Sequence, residues 1–441
     1  MTGLLLVFWV SNPMIIDTNI FINLLANSVT INFISFSFKC FAVVCLAFVT
    51  FINRSFLSTN RLFSFEYELL MLFSALALGL LAYSNDLLIL YLAIELQGLS
   101  IYSLIAIYSV SEISLEASIK YFILGAITSC FLLFGISYIY YCFGSISLNQ
   151  LILLGQNDIN TTLCFIGILL LIITLLFKLG IAPFHHWVVD VYEGSITSLS
   201  LFFGSIPKVV FLLVLIKLLY ITLANLSEDW LSFIWLTGIA SVLLSSLAAI
   251  YQKRIKRLLA YSSIGQVGLI CLALSSYSIF TVKFVSIYLL LYLVMAILSF
   301  TVIILVITKR SIPKFLINWR LLSSYNLWFS SLFVLTLLSL AGIPPLAGFY
   351  MKLAAILALL DQEYFLTLMF VVILSCFSAF YYIRVLKVMV FTKTNGNLTW
   401  LLPKSHTTSF IAAFLMTIVL FIVGYPYPLD VFSTLVSLTL V

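Results

Sequence analysis

Apolar runs of about twenty residues follow one another along almost the whole chain, separated by short polar loops. A helix of that length crosses a bilayer, and no run alternates apolar with polar residues as the strands of a membrane barrel do. We therefore predict an all-α polytopic membrane protein with about 12–14 transmembrane helices. The predicted spans lie approximately at 33–52, 67–83, 87–109, 119–143, 162–182, 196–221, 231–250, 262–276, 283–307, 328–360, 364–392 and 408–424, with a further segment in 4–30.

The charges of the loops separate into two faces of the predicted bundle. The basic face carries Arg54, Arg61, Lys120, "QKRIKR" (252–257), "TKRSIPK" (308–314), Arg320, Lys393 and Lys404. The acidic face carries Asp86, Asp158, "SEDW" (227–230) and "DQEY" (361–364). The positive-inside rule places the "QKRIKR" loop in the matrix or cytoplasm and the amino terminus on the opposite side. We interpret the bases as orientation signals, so nucleic acid is not an expected partner.

Composition excludes a soluble domain and gives no sign of a bound cofactor. The chain is 64% hydrophobic and 8% charged, whereas about a quarter of the residues of a soluble domain are charged. Its seven cysteines are scattered and form no CxxC pair, and it has only three histidines, so we expect no metal, haem or iron–sulfur site. The amino terminus lacks the pattern of a cleaved signal or transit peptide. The surplus of Phe, Ile, Leu, Ser and Tyr indicates an AT-rich genome and an organelle-encoded protein.

Four ionisable residues lie deep in predicted spans, namely Glu95, Lys178, Lys208 and Lys352. Each charge at mid-membrane costs about 2.5–3.5 kcal/mol on insertion scales. A Glu95–Lys178 pair that only fixes helix register is one interpretation, but no second deep carboxylate remains for the other two lysines. Three further bases are expected to reach the membrane surface from positions nearer helix ends, namely Lys39, Lys217 and Arg384.

An excess of buried lysine over carboxylate allows side chains to take up and release protons inside the membrane. A dry interior disfavours the ammonium form and a nearby carboxylate stabilises it, so movement of the carboxylate makes a lysine take up or release a proton. We predict a proton path formed by the four residues. Candidate relays are Tyr261, Ser262, Ser263 and Gln266 in "AYSSIGQVG", and also His185 and His186. Alternatively, the two histidines only anchor the chain at the interface with Trp187 and Tyr192.

Glycine and proline interrupt two of the spans beside these lysines, in "KLGIAPF" (178–184) and "AGIPPLAGFYMK" (341–352). Proline removes a backbone donor, and broken backbone at membrane depth is tolerated only against protein or a polar cavity. Interrupted spans in corresponding positions of two halves are typical of transporters built from inverted repeats. A kink without function is the alternative. The lysine precedes the proline in the first break and follows it in the second.

We accordingly predict four parts of the chain. Residues 1–60 form one or more N-terminal segments, and residues 396–441 form a C-terminal helix and tail. Residues 61–224 form a first five-helix repeat with a broken helix near 178–187. Residues 225–395 form a second, inverted five-helix repeat with a broken helix near 341–352.

Several stretches of the chain resemble the family of NADH dehydrogenase subunit 2, the mitochondrial antiporter-like subunits in the membrane arm of respiratory complex I. They are "YLAIELQGLSIYSL", "EASIKYFILGAITSCFLLFG", "FKLGIAPFHHWVVDVYEGS", "QKRIKRLLAYSSIGQVG", "SLAGIPPLAGFYMK" and "FYYIRVLKVM". The resemblance spans about residues 64–392. The chain departs from the family in reading "VVDVYEG" and "SIT" where "PDVYEG" and "SPT" are common.

The resemblance implies a proton-translocating subunit that couples quinone reduction elsewhere in complex I to proton transfer. Glu95, Lys178, Lys208 and Lys352 match the glutamate and the three lysines of the family's hydrated path. NAD, flavin, iron–sulfur clusters and ubiquinone are then expected in partner subunits, and other membrane-arm subunits and lipids such as cardiolipin are the expected partners. The expected location is the mitochondrial inner membrane.

Two alternatives remain open at this point. A subunit of a cation/proton antiporter of the same superfamily is expected to carry additional carboxylates, because hard cations prefer oxygen ligands. A purely structural spacer leaves the unpaired Lys208 and Lys352 unexplained.

Overall fold

The computed structural model describes residues 22–24, 28–31, 33–60, 65–108, 111–154, 161–308, 314–320, 322–391, 400–401 and 406–438. Most of the N-terminal segment predicted in 4–30 lies outside these residues. The predicted charges Arg61, Asp158, Lys393 and Lys404 and most of "TKRSIPK" also lie outside them.

The first half of the chain is a series of helices that matches the apolar runs. They are α1 (Phe33–Asn60), α2 (Phe65–Tyr83), α3 (Leu87–Ala106), α4 (Glu112–Phe143), α5 (Leu148–Leu154), α6 (Thr161–Leu179), α7 (His186–Gly194), α8 (Thr197–Gly204) and α9 (Ile206–Ile216). Helix α9 continues into a π-helical turn, Lys217–Thr222, and a 3₁₀ turn, Ala224–Leu226.

The second half is also a series of helices. Its helices are α10 (Ser227–Tyr251), α11 (Ile255–Leu274), α12 (Ile279–Leu305), α13 (Leu322–Tyr325), α14 (Leu327–Ala341), α15 (Ala347–Asp361), α16 (Phe365–Val390), α17 (His406–Gly424) and α18 (Tyr427–Leu438), with a 3₁₀ turn at Leu316–Trp319. Two short antiparallel strand pairs join Ile22–Leu24 to Val29–Ile31 and Ile307–Thr308 to Trp400–Leu401.

Local sequence signals explain several helix ends. The Ser111 side chain caps α4 by accepting a hydrogen bond from the Ser114 amide, and Ser278 and Thr281 form a capping box at the start of α12. Helix α4 ends at Gly144, whose φ of 68° is readily adopted by glycine. These polar residues satisfy backbone groups that the helix itself leaves unpaired.

Among the described residues, ten helices are long and apolar enough to cross a membrane. A further pair, Thr407–Ile422 and Tyr427–Ser437, is bent by 82°. The long run at 328–360, in which glycine and proline predicted an interruption, consists of two helices of 15 residues each, α14 and α15. The chain leaves the helix at Gly342 because the following prolines cannot continue it.

The centre of the bundle is formed by the span Thr197–Thr222 and by α12, both buried along their most apolar stretch. Helices that are apolar on every side are expected in such a position. Helix α11 lies beside α12 and contacts both α7 and α15, which follow the two breaks. Helix α11 therefore connects the two halves next to the two interrupted helices.

Ion pairs join the two halves at the basic face. Arg254 and Arg257 of the "QKRIKR" loop both pair with Glu193 at the end of α7. Lys120 Nζ lies 2.9 Å from a carboxylate oxygen of Asp190, also on α7. Arg254 and Arg257 thus hold α7 against α11, whereas Lys120 on α4 holds α7 within the first half, in addition to the orienting role predicted for these bases.

Candidate functional site

Lys178 lies in the last turn of α6, where the sequence forces the helix to stop. Gly180 has a φ of 74°, its amide donates to the Phe177 carbonyl at 2.9 Å, and the Ile181 amide donates to the Leu176 carbonyl at 3.0 Å. This pair of bonds is the Schellman arrangement that ends helices at glycine. The Trp187 indole also donates to the Phe177 carbonyl, at 2.9 Å. The carbonyl end of a helix is the end that favours a cation.

The second break begins with the same backbone arrangement, and Lys352 reaches it from the other side. Gly342 has a φ of 81°, its amide donates to the Ser339 carbonyl at 2.9 Å, and the Ile343 amide donates to the Leu338 carbonyl at 3.2 Å. Lys352 Nζ donates to the Ala341 carbonyl at 2.6 Å and to Ser378 Oγ at 3.1 Å. Lys178 precedes its break and Lys352 follows its own. In space, however, both belong to the carbonyl end of a broken helix.

The Lys178 ammonium group is surrounded by aromatic rings and glycine. Lys178 is 7% exposed, and its Nζ lies 5.8 Å from the ring centroid of Tyr102 and 5.6 Å from that of Tyr121. A Cβ placed on Gly98 would lie 3.3 Å from this nitrogen. Such contacts with ring faces stabilise a desolvated cation.

Glu95 lies one helical turn before Gly98 on α3 and is close enough to interact electrostatically with Lys178. No ion pair or hydrogen bond from Lys178 occurs within the described part of the chain. The structure therefore brings the two predicted residues into one region and holds them apart within it.

Tyr102 and Gly125 are part of this region, although the sequence did not single them out. A Cβ placed on Gly125 of α4 would lie 1.8 Å from the Tyr102 hydroxyl oxygen, so only glycine lets Tyr102 occupy its position. The signal present in the sequence is a glycine within each of two apolar helices, "IELQGLSIY" and "FILGAIT". Glycine inside a helix costs about 1 kcal/mol relative to alanine and marks close packing when it is retained.

On the role in proton transfer that the sequence predicts for Lys178, we expect Gly125→Ala to slow that transfer, because the new methyl group pushes Tyr102 away from the ammonium group. The measurement is proton uptake per NADH oxidised in closed vesicles that contain the assembled complex. Gly424→Ala is a matched control, since nothing lies within 4 Å of a Cβ at that position. Adding Tyr102→Phe to Gly125→Ala removes the clashing oxygen, so a double variant whose proton uptake per NADH is no higher than that of the single variant would contradict this explanation.

Lys208 lies at the centre of the bundle, in the first turn of α9. It is 3% exposed, donates to Ser263 Oγ at 2.7 Å, and has its Nζ 5.5 Å from the ring centroid of Tyr192. No carboxylate pairs with it among the residues that the structure describes. The first turn of a helix presents free amide groups, so the peptide dipoles there repel a cation.

Ser263 and Gln266 lie one turn apart on α11 and continue from Lys208 toward the second break. Gln266 accepts a short hydrogen bond from the Tyr288 hydroxyl and donates through Nε2 to the Leu340 carbonyl at 3.4 Å. Leu340 directly precedes Ala341, whose carbonyl holds Lys352. Ser263, Gln266 and the Leu340 and Ala341 carbonyls thus form a series of polar groups between Lys208 and Lys352.

The other proposed relays make different contacts, and Ser262 lies near Tyr382, which in turn lies near Gln266. The Ser262 hydroxyl bonds within its own helix, to the Leu259 carbonyl at 2.8 Å, and Tyr261 is only partly buried. His185 directly precedes α7 and His186 begins it, and their ring centroids are 4.3 Å apart. Burial and the neighbouring His186 lower the pKa of His185, so its ring is neutral near pH 7. No cluster of three His, Cys, Asp or Glu side chains suited to a metal occurs in the described ranges.

Three comparisons relate the chain and its fold to known proteins. The family model described as "NADH:quinone oxidoreductase/Mrp antiporter", transmembrane region, matches residues 84–378. NADH-quinone oxidoreductase subunit N of Nitrosomonas europaea is 35% identical over 346 residues, which cover 78% of this chain and 72% of that protein.

Solved structures show the same fold. A chain of respiratory complex I from Thermus thermophilus, solved with bound aureothin, superimposes with a TM-score of 0.76 and 27% identity, over 91% of this chain and 86% of that chain. A chain of the Mrp complex from a Dietzia species gives a TM-score of 0.80 at 18% identity, over 92% and 83% of the two chains, which shows the fold alone. The predicted all-α membrane fold is confirmed.

The family model covers more than half of the residues, and its match includes Glu95, Lys178, Lys208 and Lys352. The subunit N relative is matched over most of its own length. The chain therefore belongs to the NADH:quinone oxidoreductase/Mrp antiporter family, as an antiporter-like membrane subunit of the subunit N type.

Proposed function

We propose that this chain is the proton-translocating, antiporter-like subunit of a complex I-type NADH:quinone oxidoreductase and contacts other subunits of the membrane arm. The relative named subunit N and the fold shared with Thermus thermophilus complex I support the proposal. In this proposal NAD, flavin, iron–sulfur clusters and ubiquinone belong to partner subunits, and this chain carries protons without a redox centre of its own.

The observation that carries the role of the residues is the polar connection from Lys208 to Lys352. An ammonium group without an acid partner among the described residues is buried in the bundle, on a hydroxyl of α11, and this helix continues to the second break. A structural role alone does not explain this position, because burial of an unpaired charge is costly and an apolar residue would pack there without that cost.

The helix ends give the three amines different preferences for a proton. Lys178 and Lys352 lie at carbonyl ends, which stabilise the ammonium form, whereas Lys208 lies at an amide end, which destabilises it. A proton that reaches Lys208 from Lys178 is therefore held weakly. It can move on by way of Ser263, Gln266 and intervening water to Lys352.

Glu95 acts as the modulator of Lys178 in this proposal. When its carboxylate approaches, the ammonium form of Lys178 is stabilised; when it withdraws, the proton is released toward Lys208. Quinone reduction in partner subunits supplies the charge rearrangement that moves the pair.

Lys208→Met tests the proposal. The substitution removes the amine and keeps an unbranched side chain, so we expect assembly to persist while proton transfer through this subunit slows by roughly 10²-fold or more. Proton uptake per NADH oxidised, measured in closed vesicles, gives the result. Lys387→Met, at an exposed position on α16, is the control. A full proton-to-electron ratio in an assembled Lys208→Met complex would overturn the role of Lys208.

The subunits that co-purify with the chain, and the dependence of proton transfer on Na⁺, distinguish the proposal from cation exchange. Glu95 is the only acidic residue deep in the predicted spans, and a hard cation requires several oxygen ligands. Co-purification with NADH-oxidising, flavin-containing subunits is expected. Isolation of the chain without them, together with Na⁺-dependent proton exchange, would favour the antiporter alternative.

The membrane that contains the chain is a separate part of the proposal. The residue usage favours an organelle-encoded subunit of the mitochondrial inner membrane, whereas the relative from Nitrosomonas europaea favours a bacterial inner membrane. Location of the coding sequence on an organelle genome or on a bacterial chromosome decides between the two.

A further inference from the structure

A polar cavity opens at the acidic face, between the α2–α3 turn and the segment that joins α4 to α5. Its volume is about 410 Å³, and its lining includes Asp86, Ser145, Ser147, Asn149 and Gln150. The Ser145 and Ser147 hydroxyl oxygens are buried and have no hydrogen-bond partner within the described residues. Buried hydroxyl groups of this kind are normally satisfied by water, and the cavity is large enough to hold several molecules.

Asp86 contributes a carboxylate to this cavity. It occupies the N-cap position of α3 but makes no side-chain capping bond, so its oxygens are not engaged by the helix. Burial raises the pKa of Asp86. A carboxyl group in such a place exchanges protons more readily near neutral pH than an exposed aspartate does.

Lys217 lies beside the residues that line this cavity. Its Nζ donates to the Ser84 carbonyl at 2.5 Å, and Ser84 is two residues before Asp86. Lys217 begins the π-helical turn at the end of α9, and this turn contacts α5, which carries Asn149 and Gln150. Single π-helical turns inside helices are frequent at functional sites.

Lys217 also belongs to the same helical segment as Lys208. The two residues are nine positions apart, which corresponds to about 13 Å along a helix axis. Lys208 faces Ser263 in the second half of the chain, whereas Lys217 faces the first half. The segment therefore carries one amine at the centre of the bundle and another beside the cavity.

We propose that the cavity is a water-filled vestibule through which Lys217 and Asp86 exchange protons between the first half of the bundle and the aqueous phase at the acidic face. The Lys217 ammonium group releases a proton through cavity water to the Asp86 carboxylate, which releases it to bulk water. Lys217 then takes up a proton from the interior, so no net charge is left behind. The inference deepens the proposed function and rests on it.

Substitution of Lys217 by methionine and by arginine separates proton exchange from a structural role. Both variants are expected to assemble and oxidise NADH with a lowered proton-to-electron ratio, because methionine carries no proton and the guanidinium group does not release one. Lys283→Met, which removes the other base near the same face, is the control and should pump normally. Normal pumping in Lys217→Met, or rescue by Lys217→Arg, would show that Lys217 only anchors the Ser84 carbonyl.

Thiol labelling tests the water in the cavity independently of pumping. Ser147→Cys should react with a membrane-impermeant maleimide applied from the acidic face, well above the labelling of the parent chain with its native cysteines. No excess labelling would show that the vestibule is closed and overturn the inference. If Lys208→Met loses pumping but the Lys217 variants do not, the vestibule is wrong and the proposed function stands; if Lys208→Met pumps normally, the proposed function itself fails.

Discussion

Lys178→Met is expected to abolish the contribution of this subunit to proton pumping while the complex still assembles. The amine lies in the last turn of α6, within electrostatic range of Glu95 and against the rings of Tyr102 and Tyr121. Methionine fills the same volume and packs well against aromatic rings, so the fold should persist. The loss should be roughly 10²-fold or more in the rate of proton transfer through the subunit. The proton-to-electron ratio in closed vesicles is the measurement.

Glu95→Gln provides the comparison for this prediction. It removes the charge that stabilises the Lys178 ammonium form but leaves the amine, so we expect a partial loss of pumping. Blue-native gels establish that both variants assemble. A Lys178→Met complex that assembles normally and retains the wild-type ratio would exclude Lys178 as the amine whose proton Glu95 controls.

Gly348→Ala is expected to prevent assembly. A Cβ at this position would lie 1.5 Å from the backbone carbonyl oxygen of Ser339, because α15 packs directly against α14 at the second break. A side chain can move away from such a clash, whereas the backbone of a helix end cannot move without losing its hydrogen bonds. Overpacking of a well-packed site costs about 1–3 kcal/mol and occasionally more, and close helix contacts in membranes depend on small residues. We expect the amount of assembled subunit to fall at least tenfold.

The amount of the subunit in the purified complex, measured by quantitative mass spectrometry, tests this prediction. Gly424→Ala again serves as the control, since it adds the same methyl group in open space. Wild-type assembly of Gly348→Ala would mean that α15 can shift relative to α14 and that the contact is less tight than described.

The sequence motifs predicted that the chain is one of the antiporter-like subunits of complex I. The family match and the subunit N relative confirm this prediction. The roles of Glu95, Lys178, Lys208 and Lys352 remain predictions, as do the four-part division of the chain and its inverted repeats. The sequence places Lys217 near the end of its span but does not reveal that the Ser84 carbonyl of the α2–α3 turn accepts its hydrogen bond, because that turn is distant along the chain.

The positions of the helices and the points where two of them stop could be predicted from the sequence, through hydropathy and local backbone chemistry. Apolar length marks a helix because a bilayer leaves backbone groups no partner outside the helix. Gly180 and Gly342, each followed by a proline three residues later, mark where the two helices stop, since glycine adopts a positive φ and proline cannot donate. Buried lysines could be recognised as costly from the sequence, without knowledge of their neighbours.

Contacts between distant segments could not be read in this way. Lys352 lies ten residues after Gly342, yet its amine returns to the carbonyl end of α14. Tyr102 depends on a glycine of the next helix, and Lys208 meets Ser263 from a helix fifty-five residues away. Local sequence specifies which residues can form a helix and where it ends, because those forces act within one turn. Which side chains meet across helices depends on how the helices pack together, and that packing brings the ionisable groups into a single connected site.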